Sequence, residues 1–264
     1  MSTTLPQVLV RRDGAVATLV FSNPGKRNAL DFDMWCTIPG LVAELDRDPA
    51  VRVIVYTGEG ERALVAGADI SRFEANRAVP GATERFNEAV EAAYLAAGAC
   101  SKPVIAKIRG VCMGGGLGLA AGCDLRIASD DAVFRMPAAR LGLSYGFRGL
   151  KRFIDLIGAA NSADIFFSAR SFGAAEALAM GYVQRVVSAA NLDSEVRAYC
   201  EVIAENAPLT LSAAKRCIVE ALKDPEERDM QRAEAAHRAC FASEDYLEGA
   251  RAFMEKRPPR FSGR

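Results

Sequence analysis

Three consecutive glycines, Gly114-Gly115-Gly116, with Gly118 two residues on, separate two apolar runs. One covers 103–111 and reads as a strand; the other, 117–121, reads as a helix and ends in Gly122-Cys123-Asp124. Without Cβ atoms, the backbone between them can take positive φ and bring its N–H groups close to a ligand. At a helix start the first N–H groups lack intrahelical acceptors, and the dipole favours negative charge. The run is therefore open to three readings. One is tight helix packing. A second is a dinucleotide fingerprint, since Gly116-Leu117-Gly118-Leu119-Ala120-Ala121 has the form G-x-G-x-x-A. The third is an oxyanion site. Against the fingerprint, residues 110–113 intervene between strand and glycines, and Asp130 and Asp131 come too early for the ribose-binding acid about twenty residues on. No Gly-Lys-Ser/Thr follows, which excludes a Walker loop.

An oxyanion site needs a second donor. Val51-Arg52-Val53-Ile54-Val55-Tyr56 alternates and is rich in β-branched residues, which predicts a strand. After Thr57-Gly58-Glu59-Gly60 comes Ala66-Gly67-Ala68-Asp69-Ile70, small residues leading to an acidic position that suits a helix N-terminus. Two small-residue turns of this kind can aim two N–H groups at one oxygen, each typically contributing about 3 kcal/mol to a transition state.

Composition narrows the function classes. With 264 residues, half of them hydrophobic, the chain can build one large core or a core with an appendage. Lys plus Arg equals Asp plus Glu at 33 each, so no basic excess points to nucleic acid and no charge run to a membrane surface. No stretch of about 20 apolar residues suggests a membrane span, and the first residues lack a basic segment followed by an apolar one, so no signal peptide is expected. The seven cysteines, at 36, 100, 112, 123, 200, 217 and 240, are odd in number and form no C-x-x-C pair. They read as reduced thiols of a cytoplasmic protein, most of them in apolar surroundings. A single histidine, His237, argues against a zinc site and against Ser-His-Asp or Cys-His hydrolysis. No metal is expected.

Along the chain, Val8-Leu9-Val10 and residues 16–21 flank Asp13-Gly14 as a β-hairpin. Helical spacing starts at Asn28 and runs through Leu45, with Pro39-Gly40 expected to kink it. Strands are expected at 51–56 and 103–108, with a helix over 83–99 whose apolar positions are Phe86, Val90 and Leu95. Short strands at 125–128 and 132–134 surround Ser129-Asp130-Asp131. The recurring order is strand, strand, helix, which predicts an α/β fold, a stacked ββα spiral. From Gly149 the chain turns mainly helical: 150–157, 161–167 and 174–180, then one strand at 183–187, then 192–206, 209–222, 225–242 and 244–255. This suggests a spiral core over 1–195 and a C-terminal helical region over 196–264.

Five segments in order resemble the crotonase (enoyl-CoA hydratase/isomerase) superfamily. They are Asn23-Pro24 with Asn28-Ala29-Leu30, Thr57-Gly58 with Ala66 to Ile70, Met113 to Gly116 with Cys123-Asp124, Phe172 to Gly181 with Val183 and Val186-Val187, and the tail Glu248-Gly249 with Ala252 to Arg257. The resemblance implies a ββα spiral whose helical tail assembles homotrimers, often paired into homohexamers. It implies an acyl-CoA substrate of fatty acid metabolism, coenzyme A being part of the substrate and no separate cofactor. By motif match, the thioester oxygen would sit between the N–H groups of Ala68 and Gly115. Lys26, Ala29, Ala66, Asp69 and Ile70 would line the CoA path, with Phe253 and Lys256 at the nucleotide end; ordinary surface charge is the plain alternative for the two lysines.

The chain also departs from the family. Hydratases of this type carry a glutamate three residues after the glycine donor and another after the following proline. The positions here are Gly118 and Ala138. Hydration needs a base for water and an acid for carbon, each worth roughly 10²–10⁴-fold, so ordinary hydration is not expected. The pocket loop instead holds Leu143-Ser144-Tyr145-Gly146. A tyrosine there resembles the methylmalonyl-CoA decarboxylase branch, although that branch has a histidine at the place of Ala68. Three functions therefore stand side by side. The first is a lyase or isomerase acting on an acyl-CoA enolate. The second is a decarboxylase of a malonyl-type thioester using Tyr145, unless that ring is merely a packing aromatic. The third is a CoA-binding protein without activity.

Overall fold

The computed structural model describes residues 5–69 and 80–264. The hairpin forms as β1 (Gln7–Asp13) and β2 (Val16–Ser22), paired antiparallel from Gln7–Ser22 to Asp13–Val16. Helix α1 (Phe32–Arg47) follows, and then the ββα cycle repeats. The first cycle is β3 (Val53–Gly58), β4 (Ala63–Val65) and α2 (Ala82–Ala99). The second is β5 (Val104–Ile108), β6 (Val111–Met113) and α3 (Gly115–Ala121). The third is β7 (Leu125–Ser129), β8 (Val133–Arg135) and α4 (Gly146–Ser168). The chain continues through β9 (Ser171–Gly173), α5 (Ala174–Ala179) and β10 (Arg185–Val187). Helices α6 (Leu192–Ala204), α7 (Pro208–Ala221), α8 (Met230–Phe241) and α9 (Glu244–Glu255) close it.

First strands of successive cycles join one sheet, in the order β1-β2-β3-β5-β7-β10; second strands join another, β4-β6-β8-β9. Pairing is parallel except at β1–β2 and β8–β9. The large sheet is covered on both faces, so its inner strands are buried throughout and the period-2 alternation sorts residues between two clusters. Leu19, Ile54, Tyr56, Val104 and Ala106 face the main core between the layers. Val53, Val55, Ile105 and Ile127 face a second cluster with Leu192, Val196 and Cys200 of α6. A division between 195 and 196 therefore passes through one packed helix.

Several local expectations are corrected. Helix α1 begins at Phe32, with the Asp31 carboxylate accepting from the Met34 N–H at its N-cap, and it runs on through Pro39. On α2 the buried residues are Ala93, Tyr94, Ala96 and Ala97, whereas Leu95 is 47% exposed. The 103–111 run is two strands in different sheets, parted at Gly110, where φ is +59° and a Cβ would meet the Arg62 carbonyl oxygen at 2.4 Å. The pair of helices expected after Gly149 is one element broken at Gly158, where φ is +76°. The stretch 225–242 is a short 3-10 turn (Pro225–Glu227) followed by α8. Strands β4 and β9 were not foreseen.

Helix α7 is tied to the core by Lys215. Its buried Nζ donates to the Ala97 and Lys102 carbonyls and to Asp124 Oδ2, at 2.6, 2.8 and 2.7 Å. No helix among the described residues is long and apolar enough to cross a membrane. Of the seven free cysteines, 100, 112, 123 and 200 are buried. His237 stands exposed on α8, edge-on to Phe241.

Candidate active site

The two small-residue turns predicted to share one oxygen lie against each other. β4 and β6 are parallel neighbours, so the chain leaving each strand emerges on the same side. Gly67, at φ +115°, would place a Cβ 3.9 Å from the Gly115 nitrogen; a Cβ on Gly115 would lie 3.6 Å from the Ala68 nitrogen. Such a φ is open to glycine and costly for residues with a Cβ. Gly114, at φ +51°, turns the chain into α3 in the same way.

The surrounding hydrogen bonds isolate two donors. The N–H groups of Ala66, Asp69, Gly114 and Gly118 go to the carbonyls of Arg27, Leu30, Arg135 and Gly114. Those of Ala68 and Gly115 donate to no described residue. Both residues are half-buried, and two neighbouring N–H groups that no protein acceptor occupies offer a place for an incoming one.

Packing, the plainest reading of the glycine run, holds for its other members. A Cβ at Gly116 would meet the Val65 carbonyl oxygen at 2.2 Å, and one at Gly122 the Tyr94 carbonyl oxygen at 2.3 Å. A Cβ at Gly118 would lie 2.5 Å from Tyr94 Cζ and 2.6 Å from its Oη. Tyr94 thus fills the volume that a side chain at 118 would need. Its ring is met edge-on by Trp35, at 5.7 Å between centroids, and the Arg152 guanidinium lies 5.4 Å from its centroid. Trp35 also reaches Gly115, its Cζ2 lying 3.0 Å from a Cβ there.

Tyr145 is partly buried, edge-on to Phe166 and Phe153, with its phenol near that of Tyr94. Burial pushes the Tyr145 phenol up to about 12 and the Tyr94 phenol well above its ordinary range; the proximity of the two raises Tyr94 further and partly offsets the rise in Tyr145. Both are neutral hydrogen-bonding groups near pH 7, not bases. Ala138 is buried at the start of a 3-10 turn (Ala138–Leu141).

Loop 23–30 carries the first part of the expected CoA path. Asn28 holds it, its amide donating to the Glu59 and Ala63 carbonyls while its oxygen accepts from the Asn23 N–H. These bonds stabilise left-handed φ at Asn28, beside the same conformation at Arg27. Ala29 is buried, and Lys26 Nζ pairs with the buried Asp69 carboxylate at 2.7 and 2.9 Å. Ile70 lies outside the described residues. Phe253, 83% exposed, and Lys256 sit at the end of α9, and among the described residues no side-chain hydrogen bond or ion pair ties them to the two turns. No group of three metal-ligating side chains occurs among the described residues.

Sequence reasoning missed Trp35, Tyr94, Glu91 and Arg152. A signal existed for Tyr94: it follows Phe86 and Val90 at intervals of four, on the face already assigned to the core.

Comparison with known proteins follows the same lines. The enoyl-CoA hydratase/isomerase family model matches residues 11–264. A short-chain-enoyl-CoA hydratase of Clostridium acetobutylicum is 32% identical over 253 residues, 96% of each chain. A Delta(3,5)-Delta(2,4)-dienoyl-CoA isomerase of Arabidopsis thaliana is 30% identical, over 98% of this chain and 97% of that one. Among solved structures, an enoyl-CoA hydratase/isomerase family protein from Hyphomonas neptunium superposes with a TM-score of 0.92 at 37% identity, covering both chains completely.

Proposed function

The chain belongs to the enoyl-CoA hydratase/isomerase family, and from that premise we propose that it stabilises the enolate of an acyl-CoA thioester between the N–H groups of Ala68 and Gly115. The observation that carries this reading is the pair of adjacent N–H groups without a described acceptor, in turns held together by Gly67 and Gly114. As negative charge develops on the thioester oxygen, two fixed donors stabilise it without reorganising. For the CoA path the reading takes Lys26, Ala29, Ala66 and Asp69, supported by the Lys26–Asp69 pair and the Ala66 N–H bond to the Arg27 carbonyl, with Ile70, Phe253 and Lys256 completing the expected set.

With Gly118 and Ala138 lacking carboxylates, we favour proton transfer on carbon, as in an isomerase, over hydration. Decarboxylation through Tyr145 has less support, since that ring packs edge-on against Phe153 and Phe166, as a packing aromatic does. The test of the oxyanion pair is Gly115→Pro. Gly115 is the first helical residue of α3, a position whose backbone accepts proline, so the variant loses one N–H; because its Cβ also falls 3.0 Å from Trp35 Cζ2, Gly115→Ala, which adds that Cβ and keeps the N–H, is the control. Turnover of any acyl-CoA substrate is expected to fall roughly 10²–10³-fold; unchanged turnover in the folded variant would remove Gly115 from the site.

We also read the protein as a homotrimer or homohexamer. In support, Ile218, Leu222, Met230, Phe241, Leu247 and Met254 are exposed on and beside α7 to α9. Light scattering at micromolar concentration is expected to give three or six times 28.3 kDa, and a monomer would contradict the reading.

A further inference from the structure

Among the described residues, four buried side-chain polar atoms have no hydrogen-bond partner: Trp35 Nε1, Tyr56 Oη, Glu91 Oε1 and Arg152 Nη1. Three of the four belong to residues around Tyr94. Trp35 and Arg152 touch its ring, and Glu91 lies one turn earlier on the same face of α2, close enough to act on its phenol. Unsatisfied buried polar atoms are rare, and a cluster of them calls for a ligand or a chemical role.

Glu91 and Arg152 approach each other without closing. Arg152 Nη2 stands 3.6 Å from Glu91 Oε1, beyond hydrogen-bond reach. The pairs Lys26–Asp69 and Lys215–Asp124, each with one buried partner, close to 2.7 Å, whereas Arg109–Glu61 and Arg12–Glu44, whose carboxylates are exposed, stand open at 3.7 and 3.9 Å. Glu91–Arg152 is as open as the exposed pairs although Glu91 Oε1 and Arg152 Nη1 are buried.

The position of Glu91 follows from how α2 lies on α3. The Tyr94 backbone carbonyl is against Gly122 and its ring against Gly118, so the side chain runs toward the N-terminal end of α3. Helical side chains lean toward their own N-terminus. Moving from Tyr94 back to Glu91 therefore moves along α3 from Gly118 toward Gly115, the oxyanion end.

We propose that Glu91 is the proton-transferring carboxylate of this site, oriented by Arg152 and set beside the oxyanion pair where Tyr94 has taken the volume of a carboxylate at 118. The proposal rests on the acyl-CoA reading. The Glu91 carboxylate removes a proton from the carbon next to the thioester carbonyl. The C–H electron pair becomes the C=C of the enolate, and the oxygen takes its charge between Ala68 and Gly115. Protonated Glu91 then returns the proton. Return to the same carbon regenerates the substrate; return to the γ-carbon of a 3-enoyl thioester moves the double bond from C3–C4 to C2–C3. The carboxylate is restored either way, and no second carboxylate is needed.

The experiment follows exchange of the α-hydrogens of butyryl-CoA in D₂O by NMR, with binding of the same thioester measured by calorimetry. Wild type is expected to bind and to exchange. Glu91→Gln is expected to keep binding within a factor of about three and to lose exchange by roughly 10²–10⁴-fold. Glu91→Asp, which retains a carboxylate set back by one methylene, is expected to fall between them; it also covers the case in which Gln does not fold. Binding without exchange in wild type, or exchange undiminished in Glu91→Gln, would overturn the role of Glu91. Absence of thioester binding in wild type would instead overturn the acyl-CoA reading.

Discussion

A Gly118→Glu, Ala138→Glu double variant is expected to be less stable than wild type and no better a hydratase. Wild type should hydrate crotonyl-CoA at least about 10⁴-fold more slowly than an enzyme with both carboxylates, at roughly 10² or more for each missing group. Restoring the two side chains looks sufficient from the sequence. In the fold, a Cβ at 118 already falls 2.5 Å from the Tyr94 ring, and that ring is fixed by Trp35, Arg152 and Tyr145. Forcing atoms into a packed core typically costs about 1–3 kcal/mol, and burying a carboxylate there adds to it. At about 2–4 °C per kcal/mol for a chain near this size, the clash alone should lower the melting temperature by roughly 2–12 °C. Adding Tyr94→Ala removes the clash. The triple variant is expected to regain stability over the double and to hydrate crotonyl-CoA about 10²-fold faster than it. A double variant as stable as wild type, or one that hydrates as fast as the triple, would mean that Tyr94 does not exclude the glutamate.

Arg126→Met is expected to cost about 3–5 kcal/mol, the range for removing one partner of a buried charged network. Arg126 is 1% exposed. Its guanidinium donates to the carbonyls of Ala120, Cys123 and Tyr182 and to Gln184 Oε1. Ala120 and Cys123 lie at the C-terminal end of α3, so the cation opposes the negative end of the dipole and adds a donor to carbonyls there, that of Ala120 also accepting from the Cys123 N–H. Methionine matches the stem in length and takes the donor from the Cys123 and Tyr182 carbonyls, while the Ala120 carbonyl keeps the Cys123 N–H and Gln184 Oε1 keeps the backbone N–H of residue 126. Losing the charge also removes its desolvation cost, which keeps the total below the sum of the separate bonds. The melting temperature should fall by roughly 6–20 °C. Arg126→Lys keeps the charge but not the planar fork and should fall between the two. A methionine variant melting within 2 °C of wild type, a margin about as large as one kcal/mol produces, would show that α3 does not depend on this cap.

Much of the spiral was legible because its signals are local. The alternation of 51–56, the apolar run at 103–108 and the Asp13-Gly14 turn each bias the chain over a few residues, and the observed strands fall within two residues of those positions. The ends were less legible where tertiary contacts decide them. Pro39 stays inside α1, whose inner face buries Trp35, Ile38 and Val42. β4 and β9, three residues each, have too little length for a pattern and exist because the second sheet offers them partners.

The sequence by itself determined the fold class, the family and the two small-residue turns that lie against each other, because positive φ and small side chains are properties of residue types. It also determined that no carboxylate stands at 118 or 138. Only the tertiary structure decided what each glycine is for, and what took the empty place. Gly116 and Gly122 are close-approach positions against Val65 and Tyr94, distinct from Gly115 beside the Ala68 N–H, although all three look alike in the chain. Tyr94, Glu91 and Arg152 come from two helices some sixty residues apart in sequence, and no local pattern reports their meeting. It follows from packing: once a glycine opens space in a close-packed interior, a neighbouring ring fills it, and the charged groups beside that ring are carried to the edge of the site.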